Sequence, residues 1–208
     1  MTAATSLPQD DFLHNDPLRK LTPLGVKQAH IAGKTIARLI EVEKRRRPDL
    51  KVHVYCSDMA RAHETGSIIH GHLKQQVEQE KGKGADDPLP LHVDSMLREG
   101  APMWPEGYAG NWAPEPHEFY EEAARIEAAF RKHIHRASPS QDQDSVTVLV
   151  CHGNVIRCVP VSHFCCVGEV LSSQLTSTVR AGTSCCALCN YHRARGSALA
   201  STTLVERG

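Results

Sequence analysis

The stretch VTVLVC at residues 146–151, followed by HGNV at 152–155, decides the fold of this chain. Six apolar or β-branched residues run without a break, which is typical of a strand covered on both faces. Such strands lie in sheets packed between helices. His152 and Gly153 follow at once, so this strand is predicted to end at a strand-to-helix turn that holds the histidine rigidly at the sheet edge.

The segments before it alternate between helix and strand patterns. Thr22-Pro23 predicts a helix start, because threonine can cap and proline fits the first helical position, and Pro48 ends that helix. Further along, the patterns predict strands in KVHVYC at 51–56 and LHVD at 91–94, a helix capped by Ser57 at 57–73, and an amphipathic helix at 117–137. This alternation predicts an α/β fold with a largely parallel sheet.

The pattern blurs after Val161. TSCCALCNYH at 183–192 and ALASTTLV at 198–205 predict two closing strands around a turn at Arg195-Gly196. We expect an irregular lead-in at residues 1–20, one domain over 21–208, and a mobile Gly/Pro/charge loop at about 79–90 within it.

Composition excludes several classes of function. The 208 residues carry 24 lysines plus arginines and 24 aspartates plus glutamates, so no net charge recruits nucleic acid or an anionic membrane. No run approaches the roughly 20 apolar residues of a membrane helix. The eight cysteines are interpreted as reduced, buried thiols, because no secretory signal pattern precedes them.

Two predicted strands end beside groups that can hold an anion. Arg61 falls near the first turn of the helix after KVHVYC, where backbone amides already favour an anion. His152 follows VTVLVC at the equivalent place. Since ligands gather at the carboxyl ends of strands in α/β sheets, the guanidinium and the imidazole would form a phosphate-sized pocket. Taken singly, Arg61 also fits a solvated helix arginine and His152 a structural histidine.

Glu99, in LREG at 97–100, lies in a loop after the strand LHVD. A carboxylate in a loop is usually a surface charge. A phosphoryl-transfer site also needs a proton donor for the departing oxygen, and a partly buried glutamate can serve. The residues alone leave both interpretations open.

The same stretch fits a second phosphatase chemistry. Cys151 and Arg157 have the C-x5-R spacing of cysteine phosphatases. The loop between them lacks the central glycine and the small residues that let backbone amides point at a phosphate. Cys151 is more simply interpreted as the last buried residue of its strand.

The C-terminal cysteines raise a zinc site as an alternative. Cys186, Cys189 and His192 form C-x2-C-x2-H, with Cys185 adjacent. A structural zinc site takes four ligands from two well-spaced pairs. The strand-like alternation favours buried thiols instead.

Five segments together resemble the histidine phosphatase, or phosphoglycerate mutase, superfamily. Two of them are superfamily-wide patterns, whereas LREGAP and RIEAAFRKHIHRA resemble the mitochondrial serine/threonine protein phosphatases within it. The five segments are LTPLG at 21–25, CSDMARAHET at 56–65, LREGAP at 97–102, ARIEAAFRKHIHRA at 124–137 and CHGNVIR at 151–157.

The resemblance implies a phosphoglycerate mutase-like fold, which is a three-layer α/β sandwich with a mainly parallel sheet. It implies phosphoester hydrolysis through a phosphohistidine. Arg61 and His152 would hold the phosphoryl oxygens, Asn154 would join in substrate binding, and Glu99 would protonate the leaving serine or threonine alkoxide. No cofactor and no metal is expected. The expected partner is a phosphorylated protein, a homo-oligomer is open, and the implied location is mitochondrial, otherwise cytoplasmic.

One part of the family pattern is missing. In the superfamily an Arg-His-Gly motif carries the nucleophilic histidine at the end of the first, central strand, and this chain contains no Arg-His dipeptide. His14, the only histidine before Leu21, lacks a preceding strand and an adjoining arginine. Without the first strand, VTVLVC would face an unpaired edge at a cost in free energy. We therefore expect the central strand to be missing because the N-terminus is incomplete.

Three functional hypotheses follow. The chain is a serine/threonine protein phosphatase that is inactive as written, because the nucleophile is absent. Alternatively, it is a pseudophosphatase that binds phosphorylated partners without turnover. The third and weakest hypothesis is a cysteine-based phosphatase that uses Cys151.

Overall fold

A computed structural model describes residues 16–81, 89–101, 115–135, 137–138 and 140–156, together with the backbone of two strands at 186–192 and 203–205. Eight helices and strands are complete within these ranges, with short 3-10 turns at Asp16–Leu18 and Ser95–Leu97 and the start of a further helix at 153–156. The eight are α1 (Pro23–Arg46), β1 (Lys51–Cys56), α2 (Ala60–Lys81), β2 (Leu91–Val93), α3 (Pro116–His133), β3 (Ser145–Cys151), β4 (Cys186–His192) and β5 (Thr203–Val205).

The strands form one sheet in the order β2-β1-β3-β4-β5. β1 pairs in parallel with β2 on one side and with β3 on the other, whereas β4 and β5 add antiparallel strands. The prediction of an α/β fold with a mainly parallel sheet is therefore confirmed. The unpaired edge that we expected at β3 is not found, because β3 pairs with β1 along six residues and with β4 along seven.

β3 supplies side chains to two separate cores, which is why its sequence is apolar throughout. All seven of its residues are buried. Val148 and Val150 pack with α1 and α2 on one face, in a cluster that includes Ile36 and Ile69. Leu149 packs on the other face against α3. The described residues thus form the three layers that were expected, with helices on both faces of the sheet.

The first helix begins and ends where the sequence predicts. Thr22 Oγ1 accepts a hydrogen bond from the Gly25 amide at 3.1 Å, and Pro23 occupies the first turn. At the other end, the amide of Arg47 donates to the carbonyls of Glu43 and Lys44. Pro48 follows directly, so the helix stops before the strand that starts at Lys51.

Three predicted boundaries are wrong. Ser57 does not cap α2, which begins at Ala60; its hydroxyl instead accepts from the Met59 amide within the preceding turn, at 3.3 Å. α2 continues to Lys81, so residues 79–81 of the predicted mobile loop are helical. α3 ends at His133 rather than at residue 137. Helical periodicity predicts that a helix forms but does not fix its first and last residues, because helix ends fray. The turn predicted at Arg195-Gly196 lies outside the described residues.

α2 approaches the sheet closely at one glycine. A methyl group on Gly66 would lie 2.8 Å from Cβ of Cys56, a fully buried residue of β1. A Cβ at Gly71, on the same helix, would have no atom within 4 Å outside the adjoining residues and the helix's own backbone. A comparison of substitutions at the two positions therefore distinguishes the effect of close packing from the entropic cost that glycine has in any helix.

We predict opposite effects of alanine at these two positions. Gly71→Ala should raise the free energy of unfolding by about 0.5–1 kcal/mol, because alanine loses less backbone entropy in a helix than glycine does. Gly66→Ala should lower it by about 1–3 kcal/mol, because the added methyl overpacks against Cys56. Urea unfolding followed by circular dichroism measures both. Equal shifts in the two variants would contradict the close approach of α2 to β1.

Candidate functional site

The parallel pairing of β1 and β3 brings the residues after the two strands to one edge of the sheet. Ser57 follows β1 and His152 follows β3, and both are fully buried. The Ser57 amide donates to the Val150 carbonyl at 2.9 Å, which extends the ladder by one step. His152 Nε2 lies 3.0 Å from Ser57 Oγ, within hydrogen-bond distance. The imidazole is therefore fixed to the sheet by a side chain from the neighbouring strand.

Arg61 lies in the first turn of α2 and is also buried, with 7% of its surface exposed. Its Nη2 is 3.8 Å from the Met59 sulfur. The Glu99 amide lies 3.3 Å from the same sulfur, on the side of the loop after β2. Met59 thus lies between the guanidinium and the loop that carries the glutamate, and it places them at the same edge as His152.

Glu99 is joined to the turn after β3. Its Oε1 accepts from the Asn154 amide at 3.3 Å and from the Gly100 amide at 3.3 Å. The Asn154 side-chain amide donates in turn to the Gly100 carbonyl at 2.9 Å. Both Glu99 and Asn154 are half-buried. The carboxylate is therefore held at the rim of the site, beside groups that are covered.

An ion pair joins Asp58, in the turn between β1 and α2, to Arg98, in the loop that carries Glu99. Arg98 Nη2 lies 2.6 Å from Asp58 Oδ2, and Arg98 Nε donates to Oδ1 of the same carboxylate at 2.6 Å. The hydrogen bond and the charge of Asp58 raise the pKa of Arg98 above its ordinary value. Because Arg98 and Asp58 are partly exposed, this pair adds little to the free energy of folding. Its effect is to fix the position of the loop relative to the turn.

The geometry unites the four residues predicted for the site. A guanidinium (Arg61), an imidazole (His152), a carboxylate (Glu99) and an amide (Asn154) are linked by contacts through Ser57 and Met59. Such a set can bind phosphoryl oxygens through charged donors and can deliver a proton from the carboxyl group. The catalytic and binding roles of the four stay predictions.

Sequence reasoning missed Ser57 as a member of the site. The sequence does indicate it, because Ser57 directly follows β1 just as His152 directly follows β3. Met59 and Arg98 gave no signal, because methionine and arginine occur throughout helices and loops. His14 and Arg157, which were weighed as a nucleophile and as a phosphate ligand, lie outside the described residues.

The described cysteines are packing residues. Cys151 is 2% exposed and lies in the core beneath α3, together with Leu149 and Val155. Cys56 is fully buried under α2, where burial, with a smaller effect from Asp58, raises the pKa of its thiol to about 11. Both carry thiols rather than disulfides. The side chains of Cys185, Cys186, Cys189 and His192 lie outside the described part, so the zinc alternative stays untested.

The described ranges hold neither a cluster of metal-ligating side chains nor a membrane-spanning helix. Within them, no group of three or more histidine, cysteine, aspartate or glutamate side chains could hold a metal ion. Among the helices of those ranges, none has the length and apolarity needed to cross a membrane.

Asp94 organises the segment between β2 and Glu99. Its Oδ1 accepts from the Met96 amide at 3.0 Å and so caps the 3-10 turn. Its Oδ2 accepts from Lys132 Nζ at 2.7 Å and His133 Nε2 at 2.8 Å, both on α3. Burial acts to raise the pKa of Asp94, but these hydrogen bonds outweigh it and hold the pKa below the ordinary value. Burial lowers the pKa of His133, although Asp94 opposes it.

The chain matches known proteins over most of its length. Residues 13–166 match the Histidine phosphatase superfamily (branch 1). The chain is 40% identical over 148 residues to "Serine/threonine-protein phosphatase Pgam5, mitochondrial" of Drosophila ananassae, and 41% identical over 150 residues to the Homo sapiens protein of that name. These matches cover 71% of this chain but 44% and 43% of the two relatives. The chain therefore spans less than half the length of the relatives that it matches.

A likeness to a solved structure is weaker. The phosphoglycerate mutase of Plasmodium falciparum shares 22% sequence identity, with a TM-score of 0.47. The match covers 88% of this chain and 93% of that one.

We predict that His133 makes the protein less stable in mild acid. Its pKa is lowered in the folded state from 6.5, so the unfolded chain binds more protons and stability falls as the pH drops below about 6.5. Each proton taken up on unfolding contributes about 1.4 kcal/mol per pH unit. His133→Gln, which keeps a donor for Asp94, should flatten the dependence of the free energy of unfolding on pH between about 7 and 5.

The neighbouring His135→Gln is the matched control, because His135 is exposed on the same segment. Urea unfolding at a series of pH values measures the slopes. If His133→Gln keeps the slope of the unmodified protein, the buried histidine is not its source.

Proposed function

The chain belongs to the histidine phosphatase superfamily, as its five segments predicted, and we propose that it recognises phosphorylated serine and threonine side chains of proteins. The observation that carries this proposal is the set of contacts joining His152, Arg61, Glu99 and Asn154 at one sheet edge. The names of its relatives support the substrate class, since both are serine/threonine-protein phosphatases. Their names also support a mitochondrial location.

In the proposed site each residue has a distinct role. Arg61 and His152 bind the phosphoryl oxygens, because a guanidinium donates charge-assisted hydrogen bonds and an imidazole N–H is a further donor. Asn154 contacts the same group from the rim. Glu99 is the proton donor for the leaving alkoxide in a phosphatase of this type, and its half-buried carboxyl group lies where a substrate can approach.

The 208 residues are proposed to bind phosphorylated segments without hydrolysing them. Transfer through a phosphohistidine requires a second histidine as nucleophile, and the sequence contains no Arg-His pair to supply it. The burial of Cys151 in the core disfavours it as a substitute nucleophile, because a reactive thiol needs access and a lowered pKa.

We predict that the chain binds a phosphoserine peptide and discriminates against the same peptide without phosphate. Arg61→Ala should weaken the binding by roughly tenfold or more, because a hydrogen bond to a charged group contributes about 1.5–3 kcal/mol. Fluorescence anisotropy of a labelled peptide measures the affinity, and a colorimetric phosphate assay measures release. Arg131→Ala, an exposed arginine on α3 that pairs with Glu127, is the control and should bind normally.

The outcomes separate the three hypotheses. Equal affinity for both peptides, or normal binding by a folded Arg61→Ala protein, would overturn the proposed recognition. Phosphate release that His152→Ala abolishes would mean that the chain is a working histidine phosphatase. Release that Cys151→Ser abolishes and His152→Ala spares would instead support the cysteine mechanism.

A further inference from the structure

The loop that carries Glu99 is held by one arginine on α3. Arg125 donates from Nη1 to the carbonyl oxygens of Met96 at 2.7 Å and Arg98 at 2.8 Å. Its Nη2 reaches the carbonyl oxygen of Glu99 at 3.2 Å. Three of the four backbone carbonyls from residue 96 to residue 99 therefore point at a single guanidinium.

A second residue on α3 fixes the guanidinium. Glu122, one helical turn before Arg125, pairs with Nη2. Both side chains are largely covered, with 22% exposed for Arg125 and 34% for Glu122. The arginine is thus held from its own helix while it holds the loop.

Because Gly100 has no side chain, Arg125 and Glu122 can occupy the space beside it. A Cβ at Gly100 would clash with Glu122 Oε2 and would lie 2.6 Å from Arg125 Nη2. These atoms are the ends of flexible side chains, so an added methyl can displace them without disrupting the core. Gly100, Arg125 and Glu122 therefore pack against one another next to the Glu99 backbone.

α3 is a rigid support for this contact. Ile126 and Phe130 of the same helix are buried against the sheet, in the cluster that contains Leu149. Among the described residues, 98–100 lie after the end of β2 at Val93 and are in neither helix nor strand. α3 adds to the contacts from Asp58, Met59 and Asn154, through Arg125 at one end of the segment and through Lys132 and His133 on Asp94 at the other.

We propose that Arg125 is a positioning residue that sets where the Glu99 carboxylate lies relative to Asn154, and through it the affinity of the site for a phosphoryl group. The effect on affinity rests on the proposed function, whereas the effect on Glu99 does not. A lysine cannot replace the arginine, because a single ammonium group lacks the planar fork that reaches three carbonyl oxygens at once.

The test compares Arg125→Ala, Arg125→Lys and Gly100→Ala with the control Arg131→Ala in the full chain. The first readout is the amide proton shift of Asn154 in a nitrogen-proton NMR spectrum as the pH is lowered. This amide donates to Glu99 Oε1, so its shift in the unmodified protein should follow protonation of the carboxylate. The second readout is phosphoserine-peptide affinity.

We expect the three site variants to lose the pH response at Asn154 and to bind the peptide roughly tenfold more weakly, because small displacements of a binding group are costly. Arg131→Ala should keep both. Loss of the NMR response in a protein that never binds the peptide would support the positioning role while overturning the proposed function. If Arg125→Ala does not fold, Gly100→Ala still displaces the pair. A normal Asn154 response in folded Arg125→Lys and Gly100→Ala proteins would overturn the inference.

Discussion

The direct hydrogen-bonded pairing of β1 with β3 determines where the site forms. The six paired positions run from Lys51 opposite Ser145 to Cys56 opposite Val150, so both strands end at the same level. A shift by one residue would turn every side chain of a strand to the other face. A one-residue shift of β3 would move Val148 and Val150 out of the core under α1 and α2 and into the core under α3, where Leu149 now packs. The register that buries the valines is the same register that places Ser57 beside His152.

The sheet fixes only half of the site. Ser57, Arg61 and His152 follow strand ends directly or within one helical turn, and all three are buried. Glu99 lies several residues beyond β2, where the backbone has left the ladder, so its position must come from elsewhere. Helix α3 supplies much of it, through side chains that bond to backbone carbonyls and to Asp94, in addition to the contacts from Asp58, Met59 and Asn154. One arginine fork there binds three half-covered backbone carbonyls at once.

The sequence predicts what depends on local pattern and misses what depends on distant contacts. VTVLVC predicts a strand covered on both faces, because two cores require apolar residues at every position. Thr22-Pro23 predicts a helix start, because a cap involves only residues that are adjacent in sequence. Ser57 fits a cap equally well by pattern, and only its partner 95 residues away shows otherwise. Arg125 is 26 to 29 residues from the carbonyls that it binds, and nothing in its sequence neighbourhood distinguishes it from Arg131, the other arginine of α3.

The two supports also differ in how they respond to the environment. The sheet half is held by apolar burial and by backbone hydrogen bonds, which do not titrate. The Glu99 half is held partly by charges, since the Asp94 carboxylate accepts from Lys132 and the Glu122 carboxylate pairs with the Arg125 fork. Protonation of Asp94 would weaken one anchor of the glutamate loop while the cores under the strands stay intact, because a single contact on the loop is worth far less than those cores. The position of Glu99 is therefore the more labile part of the site, while His152 stays fixed as long as the sheet is folded.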